Sequence, residues 1–383
     1  MSLSWGHGLG YDDGKKGRAK YAKMLDSNRN DETTTWVCRL LDWYETSKRA
    51  MPWRDQPDPY RVWVAEVMLQ QTQVKTVIPY FERFIERFPS PSHLAEACLD
   101  QVLKYWEGLG YYSRARYLYQ AAHRIMTQHE GVLPSDYDAL LALPGIGPYT
   151  AAAVASIAFF APYPTIDGNA FRVFARLFAC EDDIARPKSR RRFESLAKAY
   201  LPTDRPGDFN QAIMELGAVI CRPQNPKCSI CPLNSTCYAY ALGKETVLPV
   251  NSKKRVAPLH HLSAMVIESD GSVLLRRRDE GLLNGFWAFP LFEVTDAEAV
   301  TFALLNTYGV KVDRVRYLGR YQHAFSHQRW DVSVFAGRWC RGFPRESGEF
   351  RWVTKEAFEA LPLAIALKPI ARWAGLLPKN TIG

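Results

Sequence analysis

The chain has 383 residues, 47% of them hydrophobic and 23% charged, and a formal net charge of +9. Single cores rarely grow beyond about 250–300 residues, so this length predicts two domains and a tail. The positive charge favours a polyanionic partner such as nucleic acid, although it also fits a merely soluble protein or one attracted to acidic membranes. The sequence opens without an apolar signal-peptide core and has no apolar run of membrane-spanning length. We therefore expect a protein that is neither secreted nor membrane-bound.

The N-terminal part of the sequence divides into a polar tail and a long helical region. Residues 1–35 are rich in Gly, Lys, Asp and Asn without a sustained apolar period, which predicts a mobile tail. Over 36–242 the apolar residues recur with a helical period, and Pro and Gly mark the turns, as in Ala139–Leu143, Ala151–Phe160 and Ala170–Phe178. This pattern predicts an all-helical domain over 36–242.

A single carboxylate interrupts the apolar segment Arg61–Gln70. On a helix, Glu66 has Val62, Trp63 and Leu69 among its neighbours three and four positions away. Apolar neighbours exclude water and raise the pKa of a carboxyl group, so that the protonated form of a general acid is accessible near neutral pH. This segment alone leaves open a Glu66 that faces solvent or pairs with an arginine.

Two glycine-containing turns could contact DNA. The stretch Gly108–Arg116 mixes glycines, tyrosines and arginines, which could insert a ring into a base stack and clamp phosphates, or could simply lie at the edge of the core. The stretch Leu140–Thr150 resembles a helix-hairpin-helix, in which Gly145 and Gly147 let the backbone approach a phosphate near a helix N-terminus. An ordinary helical hairpin is the alternative for the second stretch.

A polar turn, Pro164–Asn169, precedes the helical segment Ala170–Phe178. It would present Asp167 and Asn169 beside the positive end of the helix dipole, which keeps an aspartate ionised. The alternative is that the two residues only cap the helix, a role for which Asp and Asn are usual choices.

Four cysteines follow the pattern C-x6-C-x2-C-x5-C, namely Cys221, Cys228, Cys231 and Cys237. Four thiolates in a short loop suit an iron–sulfur cluster, whereas structural zinc sites usually pair two C-x2-C knuckles. The spacing therefore favours a cluster over zinc, and over disulfides in a reducing compartment. The remaining cysteines, Cys38, Cys98, Cys180 and Cys340, are expected to be inert core thiols.

The pattern changes after residue 242. Residues 243–258 contain two prolines and a basic run and predict a linker. Beyond it, strands are predicted at Leu262–Glu268, Val273–Arg277 and Val332–Gly337, and helices at Ala297–Tyr308 and Lys355–Leu361. We therefore expect an α+β domain over 259–383.

The order of these motifs resembles the endonuclease III superfamily of helix-hairpin-helix DNA glycosylases. Met51–Arg54, Val64–Val74 and Gly108–Arg116 are similar to MutY-type adenine DNA glycosylases in particular. The resemblance extends from about Trp36 into the C-terminal region. It implies an all-α glycosylase domain with a 4Fe-4S cluster on the four cysteines, followed by an α+β Nudix-like domain.

The resemblance also implies an activity, the excision of adenine mispaired with 8-oxoguanine or guanine in duplex DNA after the adenine is flipped out. Glu66 would protonate adenine N7, and Asp167 would stabilise the oxocarbenium sugar, either electrostatically or through a transient bond. Asn169 and Tyr149 would support the same site. Bifunctional relatives carry a Schiff-base lysine where this chain has Tyr149, so the resemblance implies a monofunctional enzyme without lyase activity.

Further residues match the family's DNA-contacting positions. Gln71, Thr72 and Tyr111 correspond to the wedge beside the lesion, and Arg54 and Gln211 to the adenine pocket. In the Nudix-like domain, Phe325, Ser326 and His327 match the loop that contacts 8-oxoguanine. The helix after Phe289-Pro290 has no carboxylate series for magnesium, so no Nudix metal site or hydrolase activity is expected.

Two alternative functions remain at this point. An endonuclease III-like glycosylase and lyase would share the hairpin and the cluster but would need lysine at position 149. A non-catalytic DNA-damage binding protein would retain the binding features but would not need both carboxylates. We expect double-stranded DNA as the partner, a monomer, other repair proteins only as unspecified partners, and a cytoplasmic (bacterial nucleoid-associated) or nuclear location.

Overall fold

A computed structural model describes residues 32–54, 58–252, 257–278, 281–342 and 350–378, with side chains from Trp36 onward. The chain forms two compact units that do not follow sequence order. The first unit combines residues up to Ala50 with Ala151–Ser252, and the second combines Met51–Thr150 with the chain from Lys253 onward. The domain limits expected from secondary-structure type, 36–242 and 259–383, cut across these units and stay predictions.

The helices over the first 252 residues confirm the predicted helical class. In chain order they are α1 (Glu32–Ser47), α2 (Pro59–Leu69), α3 (Val74–Arg87), α4 (Pro91–Glu96), α5 (Leu99–Tyr105), α6 (Ser113–Gln128), α7 (Tyr137–Ala142), α8 (Pro148–Phe159), α9 (Gly168–Leu177), α10 (Pro187–Tyr200), α11 (Pro206–Val219) and α12 (Tyr238–Ala241). Helix α1 begins inside the segment predicted to be a tail. Residues 1–31 of that predicted tail lie outside the described residues.

The core of the first unit lies between α1, α9, α10 and α11. Its buried side chains include Leu40, Phe174, Phe193, Ile213 and Leu216. Three of the four clustered cysteines pack against this core, namely Cys221, Cys231 and Cys237. The cysteine loop is therefore part of the same unit as Asp167, and the apolar core supports both.

In the second unit, α2 is buried on every side over Val62–Met68. It starts where Asp58 accepts a hydrogen bond from the backbone N–H of Arg61 at 2.9 Å and Pro59 occupies the first turn. Aromatic side chains pack beside it, as Trp53 against Phe81 with ring centroids 5.1 Å apart. Because α2 is enclosed by apolar side chains, any polar group that it carries at its centre is removed from water.

From residue 259 onward, the second unit is a mixed sheet with helices. Its elements are β1 (Leu259–Ser269), β2 (Ser272–Arg277), β3 (Trp287–Ala288), β4 (Leu291–Phe292), α13 (Ala297–Tyr308), β5 (Lys311–Ala324), β6 (Arg329–Arg341), β7 (Phe350–Thr354), α14 (Lys355–Ala360) and α15 (Lys368–Trp373). The strand order is β3-β2-β1-β6-β5, with β4 beside β1 and β7 beside β2. The β1 and β6 strands run parallel, from Leu259 opposite Arg329 to Glu268 opposite Arg338, and the other pairs are antiparallel.

The expected α+β class of this region is confirmed, but the sequence does not predict the short strands β3, β4 and β7 or the long strand β5. The register of β5 against β6 shifts at three places, and many of its side chains are exposed and charged. A strand interrupted by bulges does not keep the strict alternation of buried and exposed residues by which strands are recognised in a sequence.

Two further expectations can be compared with the structure. Only Cys180 of the four scattered cysteines is buried, whereas Cys38, Cys98 and Cys340 are exposed, so the prediction of core thiols is wrong for those three. They lie on or beside elements whose outer faces meet solvent, and an apolar neighbourhood in sequence does not reveal which face a residue occupies. Among the described residues, no helix is both long enough and apolar enough to cross a membrane.

Candidate active site and DNA-binding elements

Glu66 lies in the middle of α2 and is only 7% exposed. Its neighbours Val62, Trp63 and Leu69 are apolar, and the first two are fully buried. Burial excludes the alternative in which Glu66 faces solvent. A carboxylic acid in such surroundings is a suitable proton donor because water does not compete for its proton.

Asp167 is the N-cap of α9, with one carboxylate oxygen for each of two donors. Oδ1 accepts a hydrogen bond from the backbone N–H of Ala170 at 2.7 Å, and Oδ2 accepts one from Nδ2 of Asn169 at 2.8 Å. Burial raises the pKa of Asp167, while these hydrogen bonds and the nearby Arg172 guanidinium act in the opposite direction. The two hydrogen bonds therefore fix the geometry of the carboxylate.

Asn169 is itself oriented by Arg172, which the sequence analysis did not single out. The Asn169 Oδ1 accepts a hydrogen bond from Nη2 of Arg172 at 2.7 Å. Arg172 also donates from Nη2 to the Gly217 carbonyl at 2.8 Å and from Nε to the Cys221 carbonyl at 2.7 Å. A chain of hydrogen bonds thus runs from Asp167 through Asn169 and Arg172 to the backbone of a clustered cysteine.

Gly217 on α11 allows this arrangement. A Cβ atom at position 217 would lie 2.6 Å from the Cβ of Asn169, closer than side chains tolerate. Asn210, about two turns earlier on the same helix, holds the segment before Asp167, since its Oδ1 accepts a hydrogen bond from the Thr165 N–H at 3.0 Å. Gln211 is the next residue on α11 and is half-buried.

The four cysteines of the C-x6-C-x2-C-x5-C loop line one small cavity of about 30 Å³. Arg176 binds the loop from α9, donating from Nη1 to the sulfur of Cys221 at 3.3 Å and to the Arg222 carbonyl at 2.8 Å. Burial raises the pKa of Cys231 to about 12, so its thiolate would need a positive partner. All four thiols are free of disulfides.

The donor set of the cavity is compatible with an iron–sulfur group. In a 4Fe-4S cluster each cysteine would bind a different iron, and four thiols around one cavity fit that requirement.

The predicted helix-hairpin-helix is formed by α7, the turn 143–147 and α8. Gly145 has φ of +75°, and a Cβ there would lie 2.4 Å from the Cβ of Tyr117, so only glycine fits. Gly147 faces open space. Tyr149 lies in the first turn of α8, where the next residue, Thr150, accepts a hydrogen bond from Nε2 of Gln70 at 3.1 Å.

The predicted wedge residues occupy two turns of the second unit. Gln71 and Tyr111 are exposed and both have left-handed backbones, with φ of 58° and 49°. The expectation that the arginines of Gly108–Arg116 clamp phosphates is wrong for Arg114, which is 7% exposed and donates to backbone carbonyls inside the unit. Thr72 is half-buried beside Gln71, and Arg54 is half-buried after a turn in which its N–H binds the Met51 carbonyl at 2.9 Å.

The Phe325–His327 segment forms the tip of the hairpin between β5 and β6. The Phe325 N–H donates to the Gln328 carbonyl at 2.8 Å. The ring of Phe325 packs against His323 and Trp330, with centroids 4.6 and 4.8 Å away, while Ser326 and His327 are exposed. Phe325 therefore anchors the tip, and the two polar side chains are available to a ligand.

Sequence reasoning missed the arginines that organise these sites. Arg172 and Arg176 are four residues apart in a helix that is otherwise apolar, and both are buried. An arginine pair at this spacing on a helix with a buried face is a signal that could have found them, because a buried guanidinium must bind several acceptors.

Two regions of the chain match known protein families. Residues 64–199 match the HhH-GPD superfamily of base excision DNA repair proteins, and residues 263–373 match the NUDIX domain. Adenine DNA glycosylases of Mus musculus and Homo sapiens are both 34% identical to the chain, over 89% and 92% of this chain and 78% and 76% of their own lengths. The adenine DNA glycosylase of Buchnera aphidicola (strain Bp) is 34% identical over 77% of this chain and 84% of its own length.

Among solved structures, a thermostable thymine-DNA glycosylase is similar to the chain with a TM-score of 0.51 and 27% identity, covering 56% of this chain and 98% of that one. These similarities confirm the helical glycosylase fold, the Nudix-like region and the resemblance drawn from the motifs. The chain belongs to the adenine DNA glycosylase family.

Proposed function

We propose that this enzyme is a monofunctional glycosylase that excises adenine opposite 8-oxoguanine or guanine in duplex DNA. The observation that carries the proposal is the Asp167 carboxylate, fixed by the Ala170 N–H and by Asn169 in the first unit. A second, differently placed carboxylate, Glu66, is buried in an apolar helix. Two carboxyl groups whose surroundings differ in this way suit the opposite roles that glycosidic cleavage requires.

Glu66 acts as the general acid. It gives its proton to N7 of the flipped adenine, so that the electrons of the N9–C1′ bond leave with a neutral base instead of an anion. Water then bonds to C1′ and returns a proton to Glu66. Asp167, in its ionised form, stabilises the positive charge that develops on the sugar.

Tyr149 limits the reaction to base removal. A phenol cannot form the imine through which a lysine amine starts β-elimination of the strand. The product is therefore an intact abasic strand. The tyrosine argues against the endonuclease III-like alternative, which needs a lysine amine at this position.

The 4Fe-4S cluster has a structural role in this proposal. Cys221, Cys228, Cys231 and Cys237 would bind its irons, and the cluster would supply rigid coordination without taking part in hydrolysis, which needs no electron transfer. Arg176 and Arg172 then connect the loop to α9 and to Asn169. Cys228→Ser should lower the iron content and soluble yield, and a cluster-free protein of full stability would contradict the structural role.

The C-terminal hairpin recognises the base opposite the adenine. Ser326 and His327 are exposed at a tip anchored by Phe325, where a hydroxyl and an imidazole could bind groups that only the oxidised base displays. Ser326→Ala combined with His327→Ala should reduce the preference for 8-oxoguanine over guanine. Ala324→Ser, at an exposed neighbour in β5, is the matched control and should leave the preference unchanged.

The proposed activity can be tested with the purified protein and three duplexes, containing adenine opposite 8-oxoguanine, guanine or thymine. We expect strand cleavage only after alkali and only in the two mispaired duplexes. Cleavage without alkali would contradict the monofunctional reaction, and release of adenine opposite thymine would contradict mispair specificity.

A further inference from the structure

The turns that carry the proposed wedge residues are held by one buried side chain. Arg114, in the first turn of α6, donates from Nη1 to the carbonyls of Val67, Met68 and Gln70 at 2.9, 2.8 and 2.7 Å. These carbonyls close the C-terminal end of α2, immediately before Gln71. The same guanidinium therefore satisfies acceptors that the end of a helix leaves without partners.

The other edge of the Arg114 guanidinium binds the second turn. Its Nη2 donates to the Gly110 carbonyl at 2.9 Å, and its Nε donates to the Tyr111 carbonyl at 3.3 Å. The guanidinium also lies 5.3 Å from the ring centroid of Trp106 and 5.4 Å from that of Tyr111. Two segments far apart in sequence thus meet at one rigid, planar group.

The backbone at both wedge positions requires such support. Gln71 and Tyr111 have positive φ angles, a conformation that residues with a Cβ adopt only where their surroundings impose it. Burial lowers the pKa of Arg114 to about 10, so the group is still charged at neutral pH and its hydrogen bonds to carbonyls are charge-assisted.

We propose that Arg114 is a positioning residue that fixes the positions of Gln71 and Tyr111 relative to each other, so that both side chains can enter the stack of DNA bases together. This inference rests on the proposed function, because it assumes that these two residues form the wedge. Arg114 is buried and acts through the two turns that it binds, without a contact of its own to the substrate in this proposal. Its planar fork reaches both turns at once, whereas the single ammonium group of lysine cannot.

The test is a mutant cycle. It compares the wild type, Arg114→Lys, the double variant Gln71→Ala with Tyr111→Ala, and the protein that carries all three substitutions. Lesion binding is measured with a duplex that carries non-hydrolysable 2′-fluoro-2′-deoxyadenosine opposite 8-oxoguanine. Base flipping is followed by the fluorescence of 2-aminopurine in the adenine position. Arg83→Lys, the same substitution at an exposed arginine that stacks over Tyr80, is the control and should stay within about twofold of the wild type.

We expect Arg114→Lys to weaken lesion binding at least tenfold and to slow flipping, with unchanged affinity for undamaged duplex and an unchanged pH profile of the chemical step. In the protein that already lacks both wedge side chains, the further loss should be less than about twofold, because coupled residues are not additive. Equal losses in the two backgrounds, or no loss at all, would overturn the inference while leaving the proposed function intact. If the protein without the two wedge side chains flipped the base at the wild-type rate, the wedge assignment would be refuted, and the inference with it.

A second measurement needs no variant and covers the case in which Arg114→Lys does not fold. In the wild-type protein, the amides of 69–73 and 109–112 should exchange hydrogen with one common opening rate, since the same group holds both turns. Opening rates that differ by more than about tenfold would also overturn the proposal.

Discussion

Two helices of this enzyme begin with the same capping contact and differ in almost everything else. Asp167 at α9 and Asp58 at α2 each accept a hydrogen bond from the backbone N–H three residues later, at 2.7 and 2.9 Å. Asp58 is exposed, while Asp167 is half-buried and is held in addition by Asn169. Capping therefore does not exclude the catalytic role proposed for Asp167, because one oxygen caps the helix and the other is held by Asn169.

The largest expected effect is that of Asp167→Asn. Asparagine keeps the oxygen that caps the helix but turns an NH₂ group toward Asn169, so the free energy of unfolding should fall by about 1–3 kcal/mol. The charge opposite the sugar is lost, and the single-turnover rate of adenine release should fall by about 10³-fold or more. A fall of less than tenfold would reduce Asp167 to a cap like Asp58.

Asn169→Ala should have the next largest effect. It removes the hydrogen bond to Oδ2 of Asp167, which favours the ionised form, so the pKa of Asp167 should rise further above its usual value. A rate that needs ionised Asp167 then falls off at a higher pH as the solution is acidified. We expect a 10- to 100-fold lower rate, estimated from about 1.5–3 kcal/mol for a hydrogen bond to a charged group, and an acid limb displaced upward in a pH–rate profile.

Gly217→Ala should have a smaller effect through the same residues. The added methyl group would displace Asn169 without removing any of its polar atoms. We expect a rate lower by about tenfold, equivalent to roughly 1.4 kcal/mol. Gly168→Ala, where a Cβ meets only open space, is the matched control and should retain nearly full activity. Equal activity of the two variants would show that Asn169 need not be held tightly.

Asp58→Ala completes the comparison with the smallest effect on the rate. Loss of an exposed N-cap should destabilise the protein by about 1 kcal/mol, as measured by denaturant unfolding. Because Glu66 lies two turns further along α2, adenine release at a temperature well below unfolding should stay within about twofold of the wild type. A large loss of activity in a folded Asp58→Ala protein would mean that the start of α2 also orients the general acid.

The sequence predicts the helical class of residues 36–242, three of the seven described strands (β1, β2 and β6) and the motifs, because these depend on local period and turn residues. Helix α13 has the predicted limits, and the predicted capping by Asp167 is present. The buried arginines that hold the sites could not be predicted in this way. Arg114 binds the carbonyls of residues 67, 68, 70, 110 and 111, and Arg172 binds those of Gly217 and Cys221. These roles depend on tertiary contacts with backbone atoms, and such contacts leave no pattern in the sequence.

The central claim is that Glu66 and Asp167 act in opposite protonation states, and single-turnover pH–rate profiles test it most directly. The wild type should show an acid limb from Asp167, displaced above the usual aspartate pKa because burial raises it. The residual activity of Asp167→Asn should lose this limb, whereas Glu66→Gln should lower the rate by a similar factor at every pH and keep the limb. If Asp167→Asn kept the acid limb, or if Glu66→Gln lost it, the assignment of the two carboxyl groups would be contradicted.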